Sequence, residues 1–290
     1  MKTSLDCIPC FVNQTLTMAR LFCNDEETQL KVMCGVLEDL SRLDTEQSPP
    51  AMAQVVHRRI RKQLRDPDPY LALKQESNRV ALELLPQLKG KVRNSLDPFA
   101  SAVRLAIVGN LIDFGVQPDL DTATLVEAIE AAAETPLRGG LCQLKANTQS
   151  ASRILPIADN AGEVVLDRLL LEQLPAERTA LVVRGAPVLN DVTLNDVSDI
   201  GLPDGLEVIS NGSDAPGTIL EDCDPAFVER FRNADLIIAK GQGNYETLSD
   251  VEGPVVFLLK VKCPVIARNI GHPVGSHVVE HSRVVALQAS

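Results

Sequence analysis

Residues 157–167 read IADNAGEVVLD, an apolar run that ends in an acid, an amide, a glycine and a second acid. Asp159 and Asn160 offer a carboxylate and an amide carbonyl side by side, more than a simple turn requires. A third oxygen ligand comes from NDVTLND, residues 190–196, where Asp191 and Asp196 compete for the role. Asp191 reads as the cap of a helix beginning near Thr193, which favours Asp196 as the ligand. Two carboxylates and an amide, with room for water, suit Mg²⁺ or Mn²⁺ better than Zn²⁺, with Co²⁺ and Ni²⁺ as further candidates.

A second group of residues suits an anion. Lys240-Gly241-x-Gly243-Asn244 ends an apolar run and precedes a helical pattern. Glycines let backbone N–H groups approach a phosphate, a helix N-terminus favours negative charge, and Lys240 adds a point charge. The segment SNGSDAPGT, with Asn211 and Gly212, offers a second set of donors. Asn110 and Asp113 in GNLIDFG lie three apart on an apolar helical pattern and share one face. These residues are candidate substrate contacts.

Other signals are weaker. Cys7-Ile8-Pro9-Cys10 has the spacing of a zinc or redox pair, yet no second CxxC occurs. Cys7 and Cys10 are therefore a second-rank metal or redox candidate beside the plainer reading of two thiols at a helix start. His277 and His281 lie in a Val-rich stretch that reads as strand, which argues against a helical zinc pair. DPDPY, residues 66–70, follows a basic helix and reads as a loop. The G-x-S-x-G of α/β-hydrolases and the Walker A loop are both absent.

The elements that must position these residues fall into two parts. Up to about residue 150 the apolar spacing is helical, with starts expected at Asn24, at Ser48 followed by Pro49, and at Ser95. Gly115 reads as a helix end, and a further helix is expected from about Asp121. Beyond residue 150, short apolar runs (RILPIA, TALVVRG, LEVIS, DLIIAK, PVVFLLK) alternate with helical stretches. That alternation predicts a mainly parallel sheet covered on both faces, a three-layer α/β/α sandwich. The expected domains are a helical N-terminal subdomain over 1–95 and an α/β/α domain over 96–290, helical up to about 150. Ligands of such sheets bind beyond the carboxyl ends of the strands, where Asp159, Arg184, Asn211 and Lys240 all fall.

The bulk properties agree. The chain has 290 residues and a formal charge of −11. Residues 1–100 hold 14 basic and 13 acidic side chains, and the rest hold 14 and 26. An acidic body disfavours nucleic acid as a partner. No apolar run approaches the ~18 residues of a membrane span, and the start lacks a signal-peptide pattern. A soluble, cytoplasmic protein is expected, with homo-oligomerisation left open.

The motifs CIPC, GNLIDFG, DNAGE, APVLNDVTLNDV, SNGSDAPGT and AKGQGNYE come in an order that resembles the metal-dependent damage-control phosphatases, formerly domain of unknown function eighty-nine. The early CxxC is similar to the prokaryotic branch of that family. The resemblance implies a divalent ion at Asp159, Asn160 and Asp196, phosphate contact by Lys240, and hydrolysis of small phosphorylated metabolites such as sugar phosphates, damaged ones included. Asp159, Asp196 and Lys240 are then the expected catalytic residues. Attack falls either to water or to a carboxylate, most plausibly Asp159, with Asp113 or Glu163 orienting the water. The alternatives are an adenosyl-cofactor-dependent methyltransferase and a non-catalytic protein that binds phosphorylated metabolites.

Overall fold

The computed structural model describes residues 1–109 and 122–282, with residues 122–126 described by backbone alone. Asn110 and Asp113, like Gly115 and Asp121, lie outside the described residues.

Helices occupy most of the N-terminal part: α1 (Ile8–Phe22), α2 (Glu26–Leu40), α3 (Pro49–Leu64), α4 (Leu71–Asn94), α5 (Pro98–Val108) and α6 (Thr122–Ala133). The expected start at Ser48–Pro49 is observed. Two others move to a nearby aspartate whose carboxylate accepts a first-turn N–H: Asp25 from Thr28, and Asp97 from Ala100. A charged acceptor one or two residues along displaced the expected Asn24 and Ser95.

The sheet follows: β1 (Leu137–Gly139), β2 (Ile154–Ile157), β3 (Ala180–Val183), β4 (Glu207–Ser210), β5 (Leu236–Lys240), β6 (Val255–Lys260) and β7 (His277–His281). Between them run α7 (Leu141–Ser150), α8 (Glu163–Leu171), α9 (Leu194–Val197), α10 (Pro225–Asn233), α11 (Gly241–Leu248) and α12 (Pro264–Ile270). The strand order is β1-β7-β6-β5-β2-β3-β4, parallel except for the β6–β7 pair. Strands β2, β3, β5 and β6 match the continuous apolar runs and are buried along nearly their whole length, as a sheet covered on both faces requires.

Alternate residues of each strand face different layers. Ile154, Leu181, Val183, Ile238 and Leu258 pack with α4, α5 and α8. Leu155, Ile157, Val182, Ile237 and Phe257 pack with Phe227 and Phe231 of α10, Tyr245 of α11 and Ile266 of α12. A separate core, including Phe11, Met18, Val36, Val56 and Ile60, joins α1, α2 and α3. The packing divides differently from the chain segments expected around residue 95. Val80, Leu84, Leu88 and Val92 make α4 part of the sheet's own core, so the change of core falls near residue 70.

Candidate functional site

The site is built where β2 ends. Beyond Ile157 the chain stays extended and is held by the segment after β3. Val192 N donates to Asp159 O and Ala161 N donates to Asn190 O, both at 2.9 Å, and Asn160 bridges Asp191. This pairing sets Asp159, Asn160 and Asp191 side by side. Gly162 then turns the chain at φ 75° into α8, a left-handed conformation that glycine adopts without penalty. Its N–H donates to Asn78 Oδ1 (2.6 Å), and Asn78 Nδ2 donates to Asp196 O (2.8 Å), so α4 clamps both loops.

The side chains are densely charged and buried. Asp159, Glu163, Asp167, Asp191 and Asp196 are all buried, as are Lys74, Arg184 and Lys240. Five carboxylates against three cations leave a formal excess of two negative charges. Burial pushes Asp159 well above the usual aspartate range, and the nearby Glu163 and Asp191 push it further, against the pull of Arg184 and Lys262. Burial also raises Asp191, with Arg184 opposing. Asp167 is pushed up to about 7 by burial, again with a cation, Lys240, opposing. In all three, burial is the leading cause and the neighbouring cations offset it only in part.

Asp159 is seated over the start of α11. Gly241 has φ 79°, and a Cβ placed on it would overlap Asp159 Oδ2. The glycine's missing side chain thus admits a carboxylate where any other residue would exclude it. Asn160 Nδ2 donates to Asp159 Oδ2 (3.2 Å) and Glu163 Oε2 (3.3 Å), which leaves the amide carbonyl as the candidate donor atom.

Several of the expected contact residues are engaged within the protein. Lys240 is buried, and its Nζ donates to Glu163 Oε1 and Asp167 Oδ1, each at 2.6 Å. Burial alone would lower its pKa, yet the two carboxylates outweigh that and raise it. Two of its ammonium's donors are thus engaged by carboxylates of α8. Asn244 is also fully buried. Its Nδ2 donates to Ala158 O and Lys240 O, and its Oδ1 accepts from Arg184 Nη1 and Thr218 Oγ1. Asn211 Oδ1 accepts from Gly185 N and Ser213 N, at 3.0 Å each. Gly212, at φ 80°, leaves room for the Asp224 carboxylate. These contacts build the turns under the crevice, while the buried Asn211 Nδ2 makes no hydrogen bond. Gly241 cradles Asp159.

The argument that favoured Asp196 over Asp191 also reverses. The cap near Thr193 is closed by Asp196, whose Oδ2 accepts from Thr193 N (2.8 Å), Thr193 Oγ1 (2.6 Å) and Lys74 Nζ (2.9 Å). Asp191 caps nothing. It lies beside Asn160 and accepts from Arg184 Nε at 2.7 Å. Lys74, Asn78 and Asp167 were missed by sequence reasoning. Lys74 and Asn78 sit in an ordinary amphipathic helix, and only Asp167, one turn after Glu163, left a signal.

Cys7 caps α1 and Cys10 lies in its first turn. They line a cavity of about 330 Å³ with Cys263 and Glu246. Burial raises both thiols, and all seven cysteines are free. Among the described residues no three His, Cys, Asp or Glu side chains are gathered to hold a metal. The CxxC metal expectation thus has no such set to complete it. The Asp159–Asn160–Asp191 group has only two residues of those types, its third member being an amide. A larger cavity, about 520 Å³, lies at the opposite strand ends beside Ile154, Thr179 and Glu207, away from these carboxylates.

Comparison with known proteins places this geometry. Residues 3–278 match the family model for the damage-control phosphatase ARMT1-like domain. The chain is 34% identical over 288 residues to damage-control phosphatase PH1575 of Pyrococcus horikoshii, covering 96% of this chain and 97% of that protein. It is 34% identical over 294 residues to a damage-control phosphatase of Archaeoglobus fulgidus, covering 97% and 99%. The crystal structure of PH1575, described as a DUF89 family protein, superposes with a TM-score of 0.90 at 31% identity, covering 98% of this chain and 100% of that one.

Proposed function

The chain belongs to the damage-control phosphatase ARMT1-like domain family, and from that premise we propose that it is a divalent-metal-dependent hydrolase of phosphate monoesters. Membership supports phosphatase activity on damaged metabolites. Metal dependence and small sugar phosphates as substrates are our finer reading. The observation that carries the metal is the imbalance of five buried carboxylates against three buried cations. A divalent ion supplies the two missing charges, and an Asp, Asn, Asp oxygen set is hard donor chemistry suited to Mg²⁺ or Mn²⁺.

Asp159, Asn160 and Asp191 would hold the ion, with Asp196 as the other carboxylate of the same loop. When bound, the ion supplies positive charge to the phosphoryl oxygens. The chain's residues do the rest. Gly241 lets Asp159 lie against the N-terminus of α11, whose N–H groups favour the anionic group brought there. Lys240 holds Glu163 and Asp167 together beneath the site and keeps that charged layer from repelling a phosphate. Burial of these groups keeps bulk water away and strengthens each electrostatic contact.

The test is phosphate release from p-nitrophenyl phosphate and a panel of sugar phosphates, after stripping with chelator and after return of Mg²⁺, Mn²⁺, Co²⁺ or Ni²⁺. Release that disappears on stripping and returns with metal is expected. Equal release from the stripped protein would overturn the metal requirement. Absence of release from every compound would favour the non-catalytic reading.

A further inference from the structure

We infer that Arg184, and not Lys240, is the cation that sets the geometry of the site: it is a positioning residue that fixes the Asp159–Asp191 pair. The inference rests on the proposed metal site.

Arg184 follows β3 directly, and its side chain is wholly buried. Nε donates to Asp191 Oδ2 at 2.7 Å. Nη1 donates to Thr218 Oγ1 and to Asn244 Oδ1, each at 3.2 Å. Nη2 lies 3.9 Å from Asp159 Oδ1 and makes no hydrogen bond. One guanidinium therefore reaches groups that follow β2, β3, β4 and β5. Its two neutral anchors, Thr218 and Asn244, fix the plane of the fork. The remaining donors face the two carboxylates.

The geometry needs arginine. A lysine ammonium can neutralise one carboxylate but cannot hold two at a set separation while anchored to two more oxygens. Leaving Nη2 without a hydrogen bond in a buried place is unfavourable. A purely structural cation would be expected to turn that nitrogen onto a neighbour, whereas this one is held facing Asp159. Lys240 cannot substitute, because Glu163 and Asp167 occupy it.

The test uses the full chain, Mn²⁺ alone by calorimetric titration, and p-nitrophenyl phosphate turnover with Mn²⁺. Partners that orient metal ligands commonly change affinity about 10- to 100-fold when removed. Arg184→Lys is expected to weaken Mn²⁺ binding by about 10-fold or more, and to lower kcat by about 10- to 100-fold with KM changed less than about 3-fold. In Arg184→Lys/Asp191→Asn, the loss should be no greater than about twice that of the slower single variant, because both act through one pair. Wild-type Mn²⁺ affinity in folded Arg184→Lys, or multiplying losses in the double variant, would overturn the inference. Should Arg184→Lys not fold, Thr218→Val, which removes one anchor of Nη1, should weaken Mn²⁺ binding about 2- to 5-fold. No change there would also overturn it. If the wild type binds Mn²⁺ but releases no phosphate, the hydrolase reading fails while the affinity comparison still decides the role of Arg184. Failure of the wild type to bind Mn²⁺ overturns both.

Discussion

Gly241 carries no side-chain chemistry, yet a change there reaches Asp159 directly. Its φ of 79° is strained for other residues, and a Cβ would collide with Asp159 Oδ2. Gly241→Ala is expected to lower kcat/KM more than about 100-fold, the scale of a 1 Å misplacement of a reacting group. Steady-state turnover of a folded sample checks this, and near-normal turnover would mean that Asp159 need not lie there. Lys240 makes the opposite prediction from the one its sequence context suggests. Lys240→Met leaves Glu163 and Asp167 buried without their cation, a loss on the order of 3–5 kcal/mol. Urea unfolding should show that loss. Full stability with abolished turnover would instead restore Lys240 to the phosphate. The DNAGE and AKGQG motifs were legible as a site because acids, amides and glycines recur at successive strand ends. Which of them face the ligand was not legible, because Lys240 and Asn244 meet partners 77 and 86 residues away.

At the scale of elements, α11 ties the crevice to the N-terminal helices. Its start holds Asp159. Its middle places half-buried Glu246 in the cavity shared with Cys7, Cys10 and Cys263. Burial pushes Glu246 up to about 7, with Gln242 the main opposing influence. Because this value lies above the ordinary 4.5, the folded protein binds more protons than the unfolded chain between the two values. Stability contributed by this group therefore falls as pH rises from about 4.5 to 7. Glu246→Gln should flatten that fall, read as the urea midpoint at pH 5 and pH 8 in both proteins. An unchanged slope would show that Glu246 is ordinary. On the other side of the crevice, Gln54, Arg58 and Arg61 of α3 all bond Asp214, which latches the helical part to the loop after β4. The helices themselves were legible from their spacing. The latch was not, since nothing local marks which arginine on a basic helix meets a loop 150 residues away.

For the molecule as a whole, the sequence alternation identified five of the seven strands among the described residues and the parallel class of the sheet, and HVVEH identified a sixth. The three-residue β1 was missed because it is too short to show a period and pairs with β7 across 140 residues of chain. That α4 joins the core of the sheet was not legible, because an amphipathic helix looks the same whether it packs on helices or on a sheet. Among the described residues no helix is long and apolar enough to cross a membrane. The same sheet brings the ends of β2, β3, β4 and β5 to one edge, and the account of function depends on the charge gathered there. The most direct measurement is metal-dependent phosphate release by Asp159→Asn beside the wild type, with unfolding curves for both. Asparagine keeps the shape over Gly241 and removes one charge, so the account predicts turnover reduced at least about 1,000-fold in a protein at least as stable as the wild type. Turnover within a few-fold of the wild type, in the same metal, would contradict it.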